Sequence, residues 1–167
     1  EIGVKHLKVE GRMRGTYYIA TVINCYRNLI DAYYNNNWTK SNLERNLKLL
    51  SRVANRESTS QYFMNEATYK DQYYLDRMEV SNQDFLGLIL DYDEKTSYAT
   101  IEQRNYFKKG DKVNIFGPEK CDFDFVITDI LNENNESIEI ARHPKEILKI
   151  KVPRSVCKDS MMRIWIN

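Results

Sequence analysis

The chain is 167 residues long, with 42% hydrophobic and 29% charged residues, a balance that supports a folded core and excludes a disordered polymer. At this length it holds one domain with an appended element or two very small ones, which excludes a large enzyme. The formal charge is +1, too small to make the whole chain a polyanion binder. It is unevenly spread, however: residues 1–57 carry ten Lys or Arg against five Asp or Glu. That permits an anionic partner near the front, and a solvated helix face explains it equally well. The apolar runs are only a few residues long, far short of the roughly 20 that span a bilayer, so no membrane or export segment is expected and the chain is read as cytoplasmic.

Residues 3–10 read as a strand, with Val4, Leu7 and Val9 apolar among lysines. After Gly15 and Thr16, the apolar residues Ile19, Val22, Ile23, Tyr26, Leu29, Ile30 and Tyr33 recur at helical spacing, predicting a helix over 16–35. The asparagines 35–37 should stop it, because Asn tolerates the left-handed conformation. Ser41 and Glu44 have capping-box spacing ahead of Leu43, Leu47, Leu50 and Ala54, which predicts a second helix over 41–55. Residues 56–82 keep neither helical nor strand period and read as an extended linker whose tyrosines and Phe63 bury some rings against a surface.

From Asp84 the pattern becomes short β-type runs separated by turns: FLGLIL, SYATIE, KVNIF, FDFVITDI, SIEIA, ILKIKV and MRIWI. Seven such runs in about 83 residues predict a small antiparallel barrel, closed so that no strand edge is left open. In the turn KKGD, Gly110 is placed to take a positive φ and Asp111 to bond nearby amides. The predicted fold class is α+β, divided as 1–57 (a βα remnant and second helix), 58–83 (linker) and 84–167 (β-barrel).

The first strand and helix make half of a βα unit, which needs parallel neighbours, and the later strands belong to the barrel. This predicts that the chain is the C-terminal piece of a longer protein, cut inside the last βα unit of a parallel α/β domain. The other reading is an edge strand of the small barrel.

Gly3–Tyr33, GVKHLKVEGRMRGTYYIATVINCYRNLIDAY, resembles the signature region of the collagenase-like peptidases, peptidase family U32, notably in LKVEGRM and in Tyr26-Arg27 followed by Ile30-Asp31. Asn55–Phe63 sits where that family has a glycine-containing NRGFTTGF-like segment, here with Glu57 and Gln61 in place of the glycines. The resemblance implies an α/β barrel with an accessory β domain after it. It places Glu10 and Arg12 at the C-terminal end of a barrel strand, the face on which such barrels build active sites. There Glu10 would take a proton or hydrogen bond and Arg12 would hold a carboxylate or phosphate; a structural ion pair is the alternative. The family includes reported proteases and members that take part in tRNA wobble-uridine or ubiquinone hydroxylation. The latter carry an iron–sulfur cluster on four cysteines upstream of the signature.

Cys25, Cys121 and Cys157 are widely separated and neither they nor His6 and His143 have metal-ligand spacing. They are expected as buried, reduced thiols; no metal site and no cofactor is assigned to this chain, and an iron–sulfur cluster would belong to the full-length parent. No serine or cysteine lies in a recognisable nucleophile setting, so the chain alone is expected to be inactive, with the remainder of the α/β barrel as its partner. Lys145 and, more strongly, Lys149, Lys151, Arg154, Lys158 and Arg163 cluster late, near Trp165. Phosphate contact combined with ring stacking suits a single nucleic-acid strand. A substrate-holding role toward tRNA is the first reading, and docking to a protein substrate is the alternative.

Overall fold

Helical spacing and turn chemistry place the first elements well. In the computed structural model, which describes residues 3–53, 66, 68, 69, 83–119 and 121–166, α1 spans Thr16–Tyr34 and α2 spans Lys40–Val53. The asparagines stop α1 as expected: Asn36 adopts φ 54°, and the Asn35 and Asn37 amides donate back to Asp31 O and Ala32 O at 2.9 and 3.0 Å. The cap of α2 differs from the Ser41 box. Thr39 Oγ1 accepts from the Asn42 amide at 3.1 Å, so the helix starts one turn position earlier and Ser41 lies inside it. Its buried stripe is Asn46, Leu49 and Val53, whereas Leu47 is exposed. Asn46 tolerates burial because its Nδ2 donates to Asn42 O and Asn42 Oδ1 at 2.8 and 2.7 Å.

Residues 3–10 form no strand. A strand must exchange hydrogen bonds with a neighbour, and the described residues offer this segment none; Val4 and Leu7 are exposed. The chain divides into two compact units, Glu1–Asn82 and Gln83–Asn167. The expected linker 58–83 lies outside the described residues except for Glu66, Thr68, Tyr69 and Gln83, as do Ala54 and the segment 55–63.

The second unit is a curled antiparallel sheet, a half-barrel. Its strands are β1 Phe85–Asp93, β2 Tyr98–Gln103, β3 Phe107–Lys108, β4 Lys112–Phe116, β5 Asp122–Val126, β6 Ile130–Leu131, β7 Ile140–Ala141, β8 Ile147–Lys151 and β9 Met161–Ile164. Seven of them run in the order β5-β4-β9-β1-β2-β8-β6, and β3 pairs with β7 in a separate ribbon. Two expectations change here. FDFVITDI is two strands, and the sheet does not close by a ladder. Its edges β5 and β6 are instead successive in the chain, joined through residues 127–129. Alternation buries Leu148 and Ile150 on β8 and Ala99 and Ile101 on β2, and these pack with Ile89, Val113, Ile115, Phe125 and Met162 into one core. Gly110 has φ 87° and Asp111 Oδ2 accepts from the Lys108 amide at 2.9 Å, as the turn chemistry predicts. Gly117 is required by contact: a Cβ there would stand 2.7 Å from Ser160 Cα.

The corner between β5 and β6 is held by Asp129. Its carboxylate accepts from Tyr98 Oη at 2.6 Å and Ser137 Oγ at 3.0 Å. Lys109 Nζ lies 3.3 Å from the same carboxylate and 3.0 Å from Glu139 Oε1. The Tyr98 hydroxyl first, then Ser137 and Lys109, hold the Asp129 carboxyl below the usual range. Hydrogen bonding to Asp129 and burial raise Tyr98, while the bonds to Glu139 and Asp129 raise Lys109. A depressed carboxyl stabilises the fold above its unfolded pKa of about 3.9 and stops doing so as pH falls through the folded value. The raised Lys109 and Tyr98 contribute below about 10 and lose that contribution as pH rises through their folded values. Urea midpoints measured across pH should therefore decline at both ends. Asp129→Ala should cost about 1 to 2 kcal/mol at neutral pH and flatten the acid decline.

Candidate nucleic-acid interface

Outward positions of β8 carry the first two basic candidates. Leu148 and Ile150 point into the core, so Ile147, Lys149 and Lys151 share the opposite face; Lys149 is half-exposed and Lys151 exposed. Lys149 Nζ donates to Asn135 Oδ1 at 2.7 Å, a neutral partner, and its charge acts only at longer range on Asp93. Across the sheet, Lys151 lies opposite Tyr98 and Lys149 opposite Thr100, which in turn face Asp93 and Asp91 of β1. The acids are thus two strands away from the lysines, and Glu102 is engaged by Arg104 at 2.5 Å. Asp93 is itself held low by the Thr96 hydroxyl and the Lys95 amide, with bonds of 2.7 and 2.9 Å.

The other candidates do not join them. Arg154 and Lys158 stand exposed in the loop from β8 to β9, with the Arg154 guanidinium 4.3 Å above the Phe123 ring. Trp165 follows β9, which β1 and β2 separate from β8. Its Nε1 donates to Asp124 Oδ2 at 2.9 Å, and Lys112 Nζ covers the ring at 3.4 Å. Arg163 is corrected outright as a phosphate ligand: it is 1% exposed. Its Nε donates to Asn114 Oδ1 at 2.8 Å, and its guanidinium lies 4.0 Å from the Phe116 ring centroid. Asn114 Nδ2 in turn donates to Asp122 Oδ1, Phe123 O and Asp124 Oδ1 at 2.9, 3.2 and 2.8 Å. Arg163 is a structural cation inside a polar row across β5, β4 and β9.

The structure adds Arg142 and His143 to the basic candidates. Together with Lys145 they are exposed in the turn entering β8, where Lys145 has φ 69°. The turn is fixed by Lys145 N to Gln103 O at 2.8 Å and Glu146 N to His143 O at 3.0 Å. The sequence signal was RHPK, three cationic or titratable side chains around a proline.

In the first unit, Glu10 Oε1 accepts from the Arg12 amide at 3.1 Å, and the Arg14 amide donates to Gly11 O at 2.9 Å. Glu10 thus closes a tight turn before α1, and both Glu10 and Arg12 are exposed. Among the thiols, Cys25 is fully buried, but Cys121 and Cys157 are only partly so. They sit in adjoining loops: burial raises Cys121 while Ser160 and the Cys157 backbone bond to it, and burial and Glu119 raise Cys157. Raised thiols are weak nucleophiles and weak metal ligands at neutral pH. Among the described residues no group of three His, Cys, Asp or Glu side chains is placed to hold a metal ion.

Residues 1–73 match the model of peptidase family U32, and residues 81–163 match that of the peptidase family U32 C-terminal domain. The chain is 39% identical over 163 residues to tRNA hydroxylation protein P1 of Bacillus subtilis, covering 98% of this chain and 39% of that protein. It is 27% identical over 119 residues to a collagenase of Porphyromonas gingivalis, covering 71% of this chain and 33% of the relative. The chain therefore spans well under half the length of these curated relatives. The C-terminal domain of a Geobacillus thermoleovorans protein assigned to the U32 peptidases aligns with TM-score 0.49 and 43% identity, over 52% of this chain and 97% of that one.

Removing the buried cation should cost stability, not binding. Arg163→Ala leaves Asn114 Oδ1 without its donor in a dry setting and should lower stability by about 3 to 5 kcal/mol, read from the urea midpoint. Lys158→Ala, on the exposed loop, should stay within about 0.5 kcal/mol.

Proposed function

The chain belongs to peptidase family U32, and on that premise we propose that its half-barrel holds RNA for a larger tRNA-hydroxylating protein, without itself carrying the catalytic groups. The observation that supports this most directly is the segment Arg142–Lys151. It contains four Lys or Arg against one Glu, with Arg142, Lys145 and Lys151 exposed and Lys149 half-exposed. Lysine and arginine on one rigid stretch suit phosphate contact, since each neutralised phosphate releases counterions. The identity to a Bacillus subtilis relative named for tRNA hydroxylation supports tRNA over a protein substrate. Transfer RNA as partner also places the protein in the cytoplasm; no helix among the described residues is long and apolar enough to cross a membrane.

The remainder of the α/β barrel is the partner we assign to the first unit. On α1, Ile19, Ile23, Tyr26 and Tyr33 are exposed, a larger apolar stripe than a helix normally shows to water. Glu10 and Arg12, just ahead of it, are the groups we assign to handling a proton and an anion in the assembled barrel. An iron–sulfur cluster does not fit the donors described here: Cys25 is sealed inside α1, and Cys121 and Cys157 bring two sulfurs beside Glu119 and Ser160.

Binding of unmodified tRNA should be salt-dependent. The double variant Lys149→Glu, Lys151→Glu should weaken it at least tenfold at low salt. It should also reduce the slope of log K against log salt by about 1.4, at about 0.7 for each single-strand phosphate contact. Binding that is absent at low salt, or unchanged by the double reversal, would leave the half-barrel as a protein-docking module.

A further inference from the structure

Beside the basic turn lies a cavity of about 370 Å³, within the range of small-molecule sites. Ile138 and Ile140 supply its apolar surface, and Glu146, Arg142 and His143 line it with charge and imidazole. Its remaining polar groups are already used. Glu139 is bonded by Lys109, and Asn132 is spent within its own loop, accepting from the Asn134 and Glu136 amides and donating to Glu136. Glu146 is different. Its Oε2 is buried and accepts no hydrogen bond among the described residues, although the backbone on both sides of it is fixed by bonds to Gln103 and His143. Nor do Arg142, His143 or Lys145 form an ion pair among the described residues, so the carboxylate is not neutralised by the cations next to it.

A buried acceptor on a rigid turn, with uncommitted cations and a ring at the rim, calls for a ligand that brings N–H donors inward and negative charge outward. Resting on the RNA reading above, we propose that this cavity takes a guanine base from a single-stranded segment of the bound RNA. Guanine carries N1–H and N2–H donors side by side on its Watson–Crick edge, matching the two oxygens of one carboxylate once the Glu146 side chain turns its buried, unpartnered Oε2 toward the cavity. Uracil offers a single donor flanked by two carbonyls, which Glu146 would repel. The base plane lies on Ile138 and Ile140, His143 stacks on it, and Arg142 with Lys145 meets the adjoining phosphates.

The test is titration of the whole chain with 5′-GMP and 5′-UMP by calorimetry, in parallel with the tRNA measurement. GMP should bind saturably and at least tenfold more tightly than UMP, the scale of one good bidentate pair. Glu146→Gln, which replaces one acceptor by a donor, should abolish that preference, whereas Arg142→Ala should weaken both nucleotides alike and keep the ratio. Circular dichroism of each variant confirms the fold. Equal affinities for the two nucleotides, no saturable GMP binding, or a preference that survives in Glu146→Gln would overturn the guanine site. If tRNA still binds through Lys149 and Lys151 in that case, the pocket alone has failed. If GMP binds as expected while tRNA does not bind at all, the pocket stands and the tRNA reading has failed.

Discussion

A curled sheet must dispose of two edges, and residues 83–166 are organised around how this one does so. The edges β5 and β6 are consecutive in the chain, so the same backbone leaves one side of the sheet at Val126 and enters the other at Ile130. Three residues turn that corner, and Asp129 among them collects Tyr98, Ser137 and Lys109. The neighbouring Ile127 exchanges backbone bonds with Gly110 and Asp111 at 2.8 and 3.0 Å, which ties the corner to the β3–β4 turn. Edge strands invite pairing with other chains unless they are covered or distorted; here the covalent seam and its polar clasp take that role. The turn 142–146 and the outer face of β8 inherit fixed positions from it.

Much of this was legible because alternation is a direct physical readout. Strands that bury one face place apolar residues at every second position, as Leu148, Ile150 and Val152 do in ILKIKV and Ala99 and Ile101 do in SYATIE. The KKGD turn was legible from glycine's freedom at positive φ. What remained hidden were features that depend on contacts distant in sequence. FDFVITDI reads as one strand because nothing local announces that its two halves serve opposite edges. Phe107–Lys108 is too short to show a period. Arg163 looked like a surface cation, since only the register that sets it beside Asn114 reveals the polar partner that lets it be buried.

In the first unit both helices formed as expected, but the strand over 3–10 did not, for a related reason. Its predicted strand and the outer stripe of α1 were read correctly as apolar patterns, yet pattern alone cannot supply the partner that would complete them. The residues that α1 does bury, Thr21, Val22, Cys25 and Ala32, are small, as suits close approach of α2. Ile19, Ile23, Tyr26 and Tyr33 form the stripe left outside that contact. In α2 the polar Asn46 took a core position because a side-chain amide can place its N–H donors on the preceding turn, an option invisible to a hydrophobic count.

The place of β9 in the sheet has a consequence for biosynthesis. It is the last of the nine strands to be made, yet it sits between β4 and β1 and supplies the ladder on both sides. Until residues 161–164 have left the ribosome, the β5-β4 pair and the β1-β2-β8-β6 group can each form, but no strand ladder joins them, and each presents an open edge of the kind that recruits other nascent chains. The sheet is consequently completed only when β9 docks, in one step, like a zip fastened by its final tooth. Loss of β9 alone would leave β4 and β1 without their shared neighbour and would expose an aggregation-prone intermediate to the chaperones.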